Sequence, residues 1–521
     1  MSAGHKIGLV GAVTACAGAV LVAGSLSAAA TENGAFGDAG SANPRFGVQN
    51  NILGAGLSQT SVAWGSLPLT NADAPNGITY YGYNTSNGGP LTQNPAEAFK
   101  TEPDKNVYLV MNGRHYLYQG HETGPRGYVT RIDLDAADPA QRVFLVSDSD
   151  PAGSALPTFD GITWDPFTQQ LLLTSEATTG GVWAVQLDAN GDPVNGQAVP
   201  LPALGSGGYE GIQNDSDGNV WIIEDIGGST VAGANGKKPF SYIYRFVPTN
   251  KADLTAGGTL QALQVLRKDG TPVTASQLSA NPSDQVITDL HTYGTTLRTG
   301  WVTVHVGTTA FVATSSAATA GATPFKRPEN GVFRPGTKFG EFYFTETGDT
   351  NASSTLPGAF GAVFRLTQKT PSATTGTISP EWIGDVEHTG FDNIAFASKD
   401  DLLVVEDAGD TLHGQRNALD SGYVISIHGS AGRPERVTRW LAEGRDASAL
   451  YDASPATDVA YNDGDNEITG IHVSDGDASA AGLLGAKAPN LFDGSWRAFW
   501  TQQHGDNVTW ELSRSAQRGH S

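Results

Sequence analysis

The sequence predicts an all-β chain folded as a six-bladed β-propeller with a small irregular or helical insertion. Two observations predict it: one unit recurs along the chain, and the composition suits short strands and tight turns. The unit reads aromatic or small residue, acid, Gly or Asn, Ile, a turn, an apolar strand, then another acid. It stands as FDGITWDPFTQQLLLTSEAT at 159–178, YEGIQNDSDGNVWIIEDIGG at 209–228 and FDNIAFASKDDLLVVEDAGD at 391–410. RPENGVFRPGTKFGEFYFTETGD at 327–349 repeats it with a longer turn, and residues 466–507 repeat it with an insertion. The stretch YLVMNGRHYLYQGHETGPRGYVTRIDLD at 108–135 is the first member. Outer strands follow the units as GGVWAVQLD, FSYIYRFVP, GAVFRLTQ and GYVISIHG. With 65 Gly and 27 Pro among 521 residues, short strands joined by turns are favoured over helices. A sandwich or a solenoid offers similar strands, but a sandwich does not repeat its polar punctuation at matched positions. Radial sheets around a channel do.

Residues 1–30 read as an export signal. His5 and Lys6 precede an apolar run from Ile7 to about Val22, and Ala28-Ala29-Ala30 supplies small residues for cleavage. The run is too short and too rich in Gly and Ala for a membrane span, so no membrane contact beyond export is expected. Val13-Thr14-Ala15-Cys16 is similar to a lipoprotein acylation site, but apolar sequence continues past Cys16 where a polar tether belongs. A secreted protein is the main expectation and a lipoprotein the lesser one. Cleavage removes the only cysteine, leaving an exported chain without a disulfide; bound cations are then expected to brace its loops. Residues 31–60, rich in Gly, Ala, Asn and Ser, are expected to be mobile. Residues 61–515 form the single propeller domain, with a less regular excursion over about 250–325. A closed ring gives no reason to demand a partner, so a monomer is expected. The formal charge of −22 excludes nucleic acid, which needs a basic face.

The acids are expected to gather on one rim. In an antiparallel pair the start of one strand lies beside the end of the next. The acids that open the repeats (Asp160, Glu210, Glu329, Asp392, Glu467) should therefore lie near those that close them (Glu176, Glu224, Glu346, Glu406), with His504 closing the last and Glu122 joining from the first. Like charges this close cannot all stay ionised in a partly desolvated site. Divalent cations, which take six to eight oxygen ligands in the case of calcium, are the better solution. Any one acid at a strand end could be a solvated turn residue; the matched recurrence argues against that for the set. His121 and His504 are left open between metal ligand, proton donor and turn residue.

YLYQGHETG, LLLTSEAT, YEGI with WIIEDIGG and SYIYRFVP, GATPFKRPENG, FDNIAF, and EITG with HGDN occur in an order that resembles the PhoX-type alkaline phosphatases, six-bladed propellers of secreted bacterial proteins. The resemblance covers roughly 105–510. It implies a channel-mouth cluster of calcium with an iron pair, hydrolysing phosphate monoesters. It also implies metal ligation by Glu176, Glu210, Glu329, Asp392, Asn393 and Glu467; Glu122 is a candidate ligand from its place on the rim. Arg327 resembles the family's phosphate-binding arginine, whose planar fork suits a tetrahedral oxyanion. Three positions depart from the pattern: Ser175 stands where the family has an iron-ligating cysteine, Tyr209 where it has a histidine, and no twin arginine precedes the signal's apolar run. Serine is a poor substitute for soft thiolate sulfur, so calcium is expected and iron is in doubt. The leading expectation is an exported metal-dependent phosphatase acting on a small phosphorylated substrate, with Arg327 as its catalytic and substrate-binding residue. The alternatives are a calcium-stabilised hydrolase of another kind, lactonase or phytase-like, and a non-catalytic extracellular binding propeller.

Overall fold

The computed structural model describes residues 36–83, 100–124, 126–177, 179–427, 433–447, 449 and 465–515. The expected export signal, with Cys16, lies outside them. Blade 1 is built from Pro103–Met111, Arg114–His121, Val129–Asp133 and Val143–Ser147. Blade 2 is Ile162–Asp165, Gln170–Thr174, Val182–Leu187 and Pro193–Pro200; blade 3 is Tyr209–Asn214, Val220–Glu224, Ile243–Pro248 and Gly258–Leu266. Blade 4 is Pro328–Phe333, Glu341–Glu346, Ala362–Gln368 and Thr375–Ile383; blade 5 is Phe391–Phe396, Asp401–Glu406, Ser421–Ser426 and Arg436–Ala442. Blade 6 takes Glu467–Ser474, Arg497–Gln503 and Val508–Arg514, and its fourth strand, Leu57–Ala63, comes from the other end of the chain. The strands within each blade pair antiparallel, and the six innermost strands touch in ring order, blade 6 closing against blade 1. The six-bladed propeller read from the repeats is the fold.

The second strands read as unbroken apolar runs because each blade is sandwiched between two others. Leu171, Leu172 and Leu173 are all buried, as are Ile222 with Ile223 and Leu402 through Val405. The core accordingly lies in layers between blades: Leu172 and Val182 of blade 2 pack with Tyr209 and Ile212 of blade 3, and Val332 and Tyr343 of blade 4 with Phe391 and Val404 of blade 5.

The excursion is more ordered than the sequence suggests. Its strand Leu297–Gly307 pairs with the outer strands of both blade 3 and blade 4 and fuses their sheets. Three helices flank it: α1 (Ala275–Ala280), α2 (Gln285–Leu290) and α3 (Ala313–Ala320).

A correction falls on residues 31–60. From Phe36 onward this segment is packed rather than mobile. Ile52–Leu53 pairs with the outer strand of blade 5, Ala39 N donates to Arg439 O at 2.7 Å, and the Asn43 amide donates to Glu443 O at 2.7 Å. The physical reason is the outer edge of blade 5, whose unpaired backbone groups the segment covers. Phe36 is buried against Trp440 and Phe492. Phe36→Ala should therefore destabilise the protein by about 3 kcal/mol in urea unfolding, whereas a loose tail would lose nothing measurable.

Candidate functional site

Five of the six innermost strands begin with an irregularity in register, between Pro103 and Asn106, Tyr209 and Ile212, Pro328 and Gly331, Phe391 and Ile394, and Ile468 and Gly470. A bulge of this kind re-aims a side chain at the end of a strand. The residue it carries is Asp104, Glu210, Glu329, Asp392 and Thr469 in turn, and Asp160 stands at the same position of blade 2. The five acids are buried.

The next residue in each blade is Lys105, Gly161, Gly211, Asn330, Asn393 and Gly470. Two of the glycines are required by neighbouring backbone: a Cβ on Gly161 would lie 2.0 Å from Glu210 O, and one on Gly211 would lie 2.5 Å from Glu329 O. Lys105 instead reaches from blade 1 to blade 4, where its ammonium donates to Asn330 Oδ1 at 2.7 Å. Asn330 in turn donates to Glu210 Oε1 at 2.6 Å.

The closing acids do not behave as a set. Glu224, Glu346 and Glu406 sit directly opposite Tyr209, Pro328 and Phe391, the residues before the bulged acids. Cross-strand partners share a face and successive residues alternate, so these glutamates leave the rim for the protein interior. Glu224 accepts from Thr314, from Tyr244 Oη at 3.0 Å and from Tyr242 N at 3.2 Å. Glu346 accepts from Lys326 N and pairs with His291 Nε2, each at 2.7 Å, and Glu406 meets Arg416 and Thr389 N. The rim position falls one residue later, at Glu122, Glu176, Asp225, Thr347, Asp407 and Gln503.

Three overlapping trios result: Asp104 with Glu122 and Asp160; Asp160 with Glu176 and Glu210; Glu210 with Glu329 and Asp392. Within each, one ligand atom per residue lies within 4.8 Å of the others. Sharing Asp160 and Glu210 links the trios into an arc from blade 1 to blade 5. Of the sequence-derived candidates, Glu122, Glu176, Glu210, Glu329 and Asp392 are in this arc. Glu467 is not; it precedes the bulge in blade 6, where Thr469 holds the equivalent place, and it pairs with His504 Nε2 at 2.9 Å. The other nitrogen of His504 lies 3.2 Å from Glu102, so this histidine bridges two carboxylates. Asn393 borders the arc, its amide donating to Asp392 and to Thr469 O while its Oδ1 has no partner among the described residues. Asp104 and Lys105 were missed: their segment, PDKN, lacks the aromatic-acid-Gly-Ile signature of the other units. Asp160 carries that signature and belongs among the candidate ligands.

Burial pushes the carboxyls of Asp104, Asp160, Glu176, Glu210 and Asp392 well above the ordinary range, and neighbouring carboxylates push further the same way. Glu329 is raised to about 7, chiefly by burial. Burial acts oppositely on Lys105, lowering it to about 8 against the pull of Glu210 and Asp392. Lys105 and Arg327 are too few to neutralise seven acids. The donor set is all oxygen, and Asp160 Oδ1 is buried with no hydrogen-bond partner among the described residues. These features fit hard divalent cations. They do not fit an iron pair held through sulfur. Ser175 is fully buried, Tyr209 Oη donates instead to Leu204 O at 3.0 Å, and none of the three trios of the arc contains a cysteine or histidine.

Arg327 adopts a left-handed backbone with φ of 54° just before Pro328. Glu102 before Pro103 and Gly390 before Phe391 hold the same place with φ of 41° and 67°, so the strained turn belongs to the rim architecture. The guanidinium grips Asp225 through Nε at 3.0 Å and Nη2 at 2.7 Å, and Nη2 lies 3.4 Å from Glu329. No hydrogen bond to a described residue engages Nη1. Lys326 takes no part: it is buried in a pair with Asp349 at 2.6 Å. His121 is also structural. It is buried, stacked on Tyr128 at 4.0 Å, and lowered by burial to about 3, so it stays neutral.

A further trio, Asp410, His413 and Asp465, lies beside blades 5 and 6. Its charge is already met, because Arg45 and Arg445 both bind Asp465 and His413 is paired with Asp420 at 2.9 Å.

A family model described as alkaline phosphatase PhoX matches residues 174–482. The chain belongs to this family of phosphatases. Its structure is similar to that of Pseudomonas fluorescens PhoX in complex with vanadate, with a TM-score of 0.56 and 12% identity over 92% of this chain and 98% of that one. A gluconolactonase of Xanthomonas campestris aligns over 91% of this chain and all of its own (100%), at a TM-score of 0.36 and 10% identity, too low to bear on function. The sequence matches no curated protein.

The raised carboxyls give a pH signature. A carboxyl whose pKa is higher folded than unfolded stabilises the fold below its ordinary value and loses that contribution as pH rises through the folded value. For Glu329 the window runs from 4.5 to about 7. Protein stripped with EDTA should melt at least ~5 °C lower at pH 8 than at pH 5.5, and a millimolar divalent cation should raise the pH 8 value more than the pH 5.5 value. A melting temperature independent of both would remove the case for cations in the arc.

Proposed function

We propose that this chain is an exported, metal-dependent phosphatase that hydrolyses small phosphate monoesters at the carboxylate arc, with calcium as its cation. The observation that carries this reading is the guanidinium of Arg327, fixed by Asp225 beside Glu329 at the edge of the arc. A planar donor fork next to a carboxylate-rich cation site suits a tetrahedral dianion. The vanadate complex of the Pseudomonas fluorescens protein, named as a transition state analogue, supports a site made for a phosphoryl group.

Asp104, Glu122, Asp160, Glu176, Glu210, Glu329 and Asp392 would hold the cations. Bound there, cations polarise a phosphoryl oxygen and make water a better nucleophile. The overall change is addition of water oxygen to phosphorus, cleavage of the ester P–O bond, and release of the alcohol with its proton. Arg327 contributes by donating to phosphoryl oxygens as negative charge builds on them. Asp225 takes the other edge of the guanidinium and fixes its plane, which spares the ordering cost at binding. Lys105, held by Asn330, offsets part of the carboxylate charge. Ser175 is buried and has no part in the reaction. No step is assigned to iron. Export rests on the signal read over residues 1–30.

Metal analysis by mass spectrometry, on protein purified without chelators, should find calcium together with phosphomonoester turnover in the same sample. Arg327→Ala should lower kcat/KM for a phosphate monoester by about 10²- to 10³-fold while leaving the metal content intact. A variant that keeps full turnover, or a wild type that hydrolyses a lactone and no phosphate ester, defeats the reading.

A further inference from the structure

A cavity of about 730 Å³ lies on the blade 3 side, beginning at the residue after Asp225, and is walled by Ile226, Phe240, Tyr242, Val312 and Ala318, with Lys238 its one charged lining residue. Its surface is mainly apolar. Phe240 and Val312 are 44% and 51% exposed, so two large apolar side chains of the lining are open to solvent.

Three ties join this cavity to the phosphate end of the site. Ile226 follows Asp225, the partner of Arg327, and its backbone is pinned by Ser241, whose Oγ accepts from Ile226 N at 2.7 Å and donates to Ile226 O at 2.6 Å. Phe240 N donates to Phe325 O at 2.9 Å, and Phe325 N to Ser241 O at 2.8 Å, which anchors the adjoining wall segment two residues before Arg327. Thr314 of α3, in the same lining, donates to Glu224, the residue before Asp225. The segment that carries Asp225 thus continues directly into the cavity wall, and the segment that carries Arg327 is hydrogen-bonded to the strand of Phe240.

We propose that this cavity receives the organic group of the substrate and sets the enzyme's preference for phosphate monoesters of bulky apolar alcohols. The proposal rests on the phosphatase reading for the identity of the reacting end, and on the cavity itself for the apolar end. Ligand pockets are mostly apolar, with volumes of roughly 300–1,000 Å³, so the space exceeds what a glycerol-sized alcohol fills. The acid arc offers an apolar group nothing, whereas the cavity offers it apolar surface free of carboxylates. α1 and α3, which come from the excursion between blades 3 and 4, supply the far wall.

Two variants and two readouts test this. In wild type, kcat/KM for 1-naphthyl phosphate should exceed that for glycerol 2-phosphate by at least tenfold. Phe240→Ser and Ala318→Trp, one removing apolar surface and the other filling the cavity, should each reduce that ratio about tenfold, mainly through KM of the naphthyl ester. An unchanged ratio in both variants overturns the proposal. The second readout needs no turnover: saturation-transfer NMR should detect 2-naphthol bound to wild type and lost in Ala318→Trp. Naphthol binding without hydrolysis of any phosphate ester would sustain the cavity and sink the phosphatase reading. Absence of naphthol binding in wild type would sink the cavity proposal whatever the enzyme hydrolyses.

Discussion

A carboxylate loses much of its hydration when buried, and a second one within a few ångströms raises the cost of its charge again. The inner ring of this propeller repeats that situation around the arc from blade 1 to blade 5. The rim answers it in several ways at once. Lys105 brings an ammonium in from blade 1, Arg327 brings a guanidinium from the turn before blade 4, and Asn330 donates to Glu210 and Asp392. Gln503 donates to Asp104 and Glu122 from blade 6. These donors still leave a surplus of negative charge on the rim.

Pseudosymmetry explains how one fold separates binding from bracing. Each blade offers a bulged position on its innermost strand and a position just beyond its second strand. In blades 1, 2, 3 and 5 both are filled by acids. One residue earlier on the second strand, the side chain faces inward, and there Glu224, Glu346 and Glu406 are tied to Tyr244, His291 and Arg416. The same residue type therefore has opposite duties one position apart. Blade 6 breaks the acid pattern with Thr469 and Gln503, and blade 4 does so with Thr347, which donates to Glu329. The arc is open at blade 6.

Much of this was legible in the sequence. The words FDGI, YEGI, RPEN and FDNI fix the innermost strands, and they mark Asp160, Glu210, Glu329 and Asp392 as equivalent. Two kinds of information were not legible. A bulge changes which face a residue takes without changing the apolar pattern, so Glu224 seemed equivalent to Glu176 although Asp225 is its true counterpart, and Glu467 seemed equivalent to Glu210 although Thr469 is. Contacts across the channel have no sequence spacing at all, which is why Lys105, separated from Asn330 by more than two blades, carried no signal. The burial of Phe36 and the strand pairing of Ile52 were hidden for a related reason. A Gly- and Asn-rich segment reads as loose unless the exposed strand edge it covers is known.

The ring is fastened by a strand from its beginning. Leu57–Ala63 precedes all the other blade strands in chain order, yet its partner, Val508–Arg514, is the last strand of the described residues. Until that pairing forms, blade 6 lacks its outer strand, and the apolar residues of Leu57–Ala63 have no sheet to join. Completion of the circle is therefore a length check. A chain cut short by even a dozen residues before Arg514 keeps every acid of the arc in its sequence but cannot lock the ring that holds them at one mouth. The unfinished chain therefore has to be kept from misassembly until residues 508–514 are available.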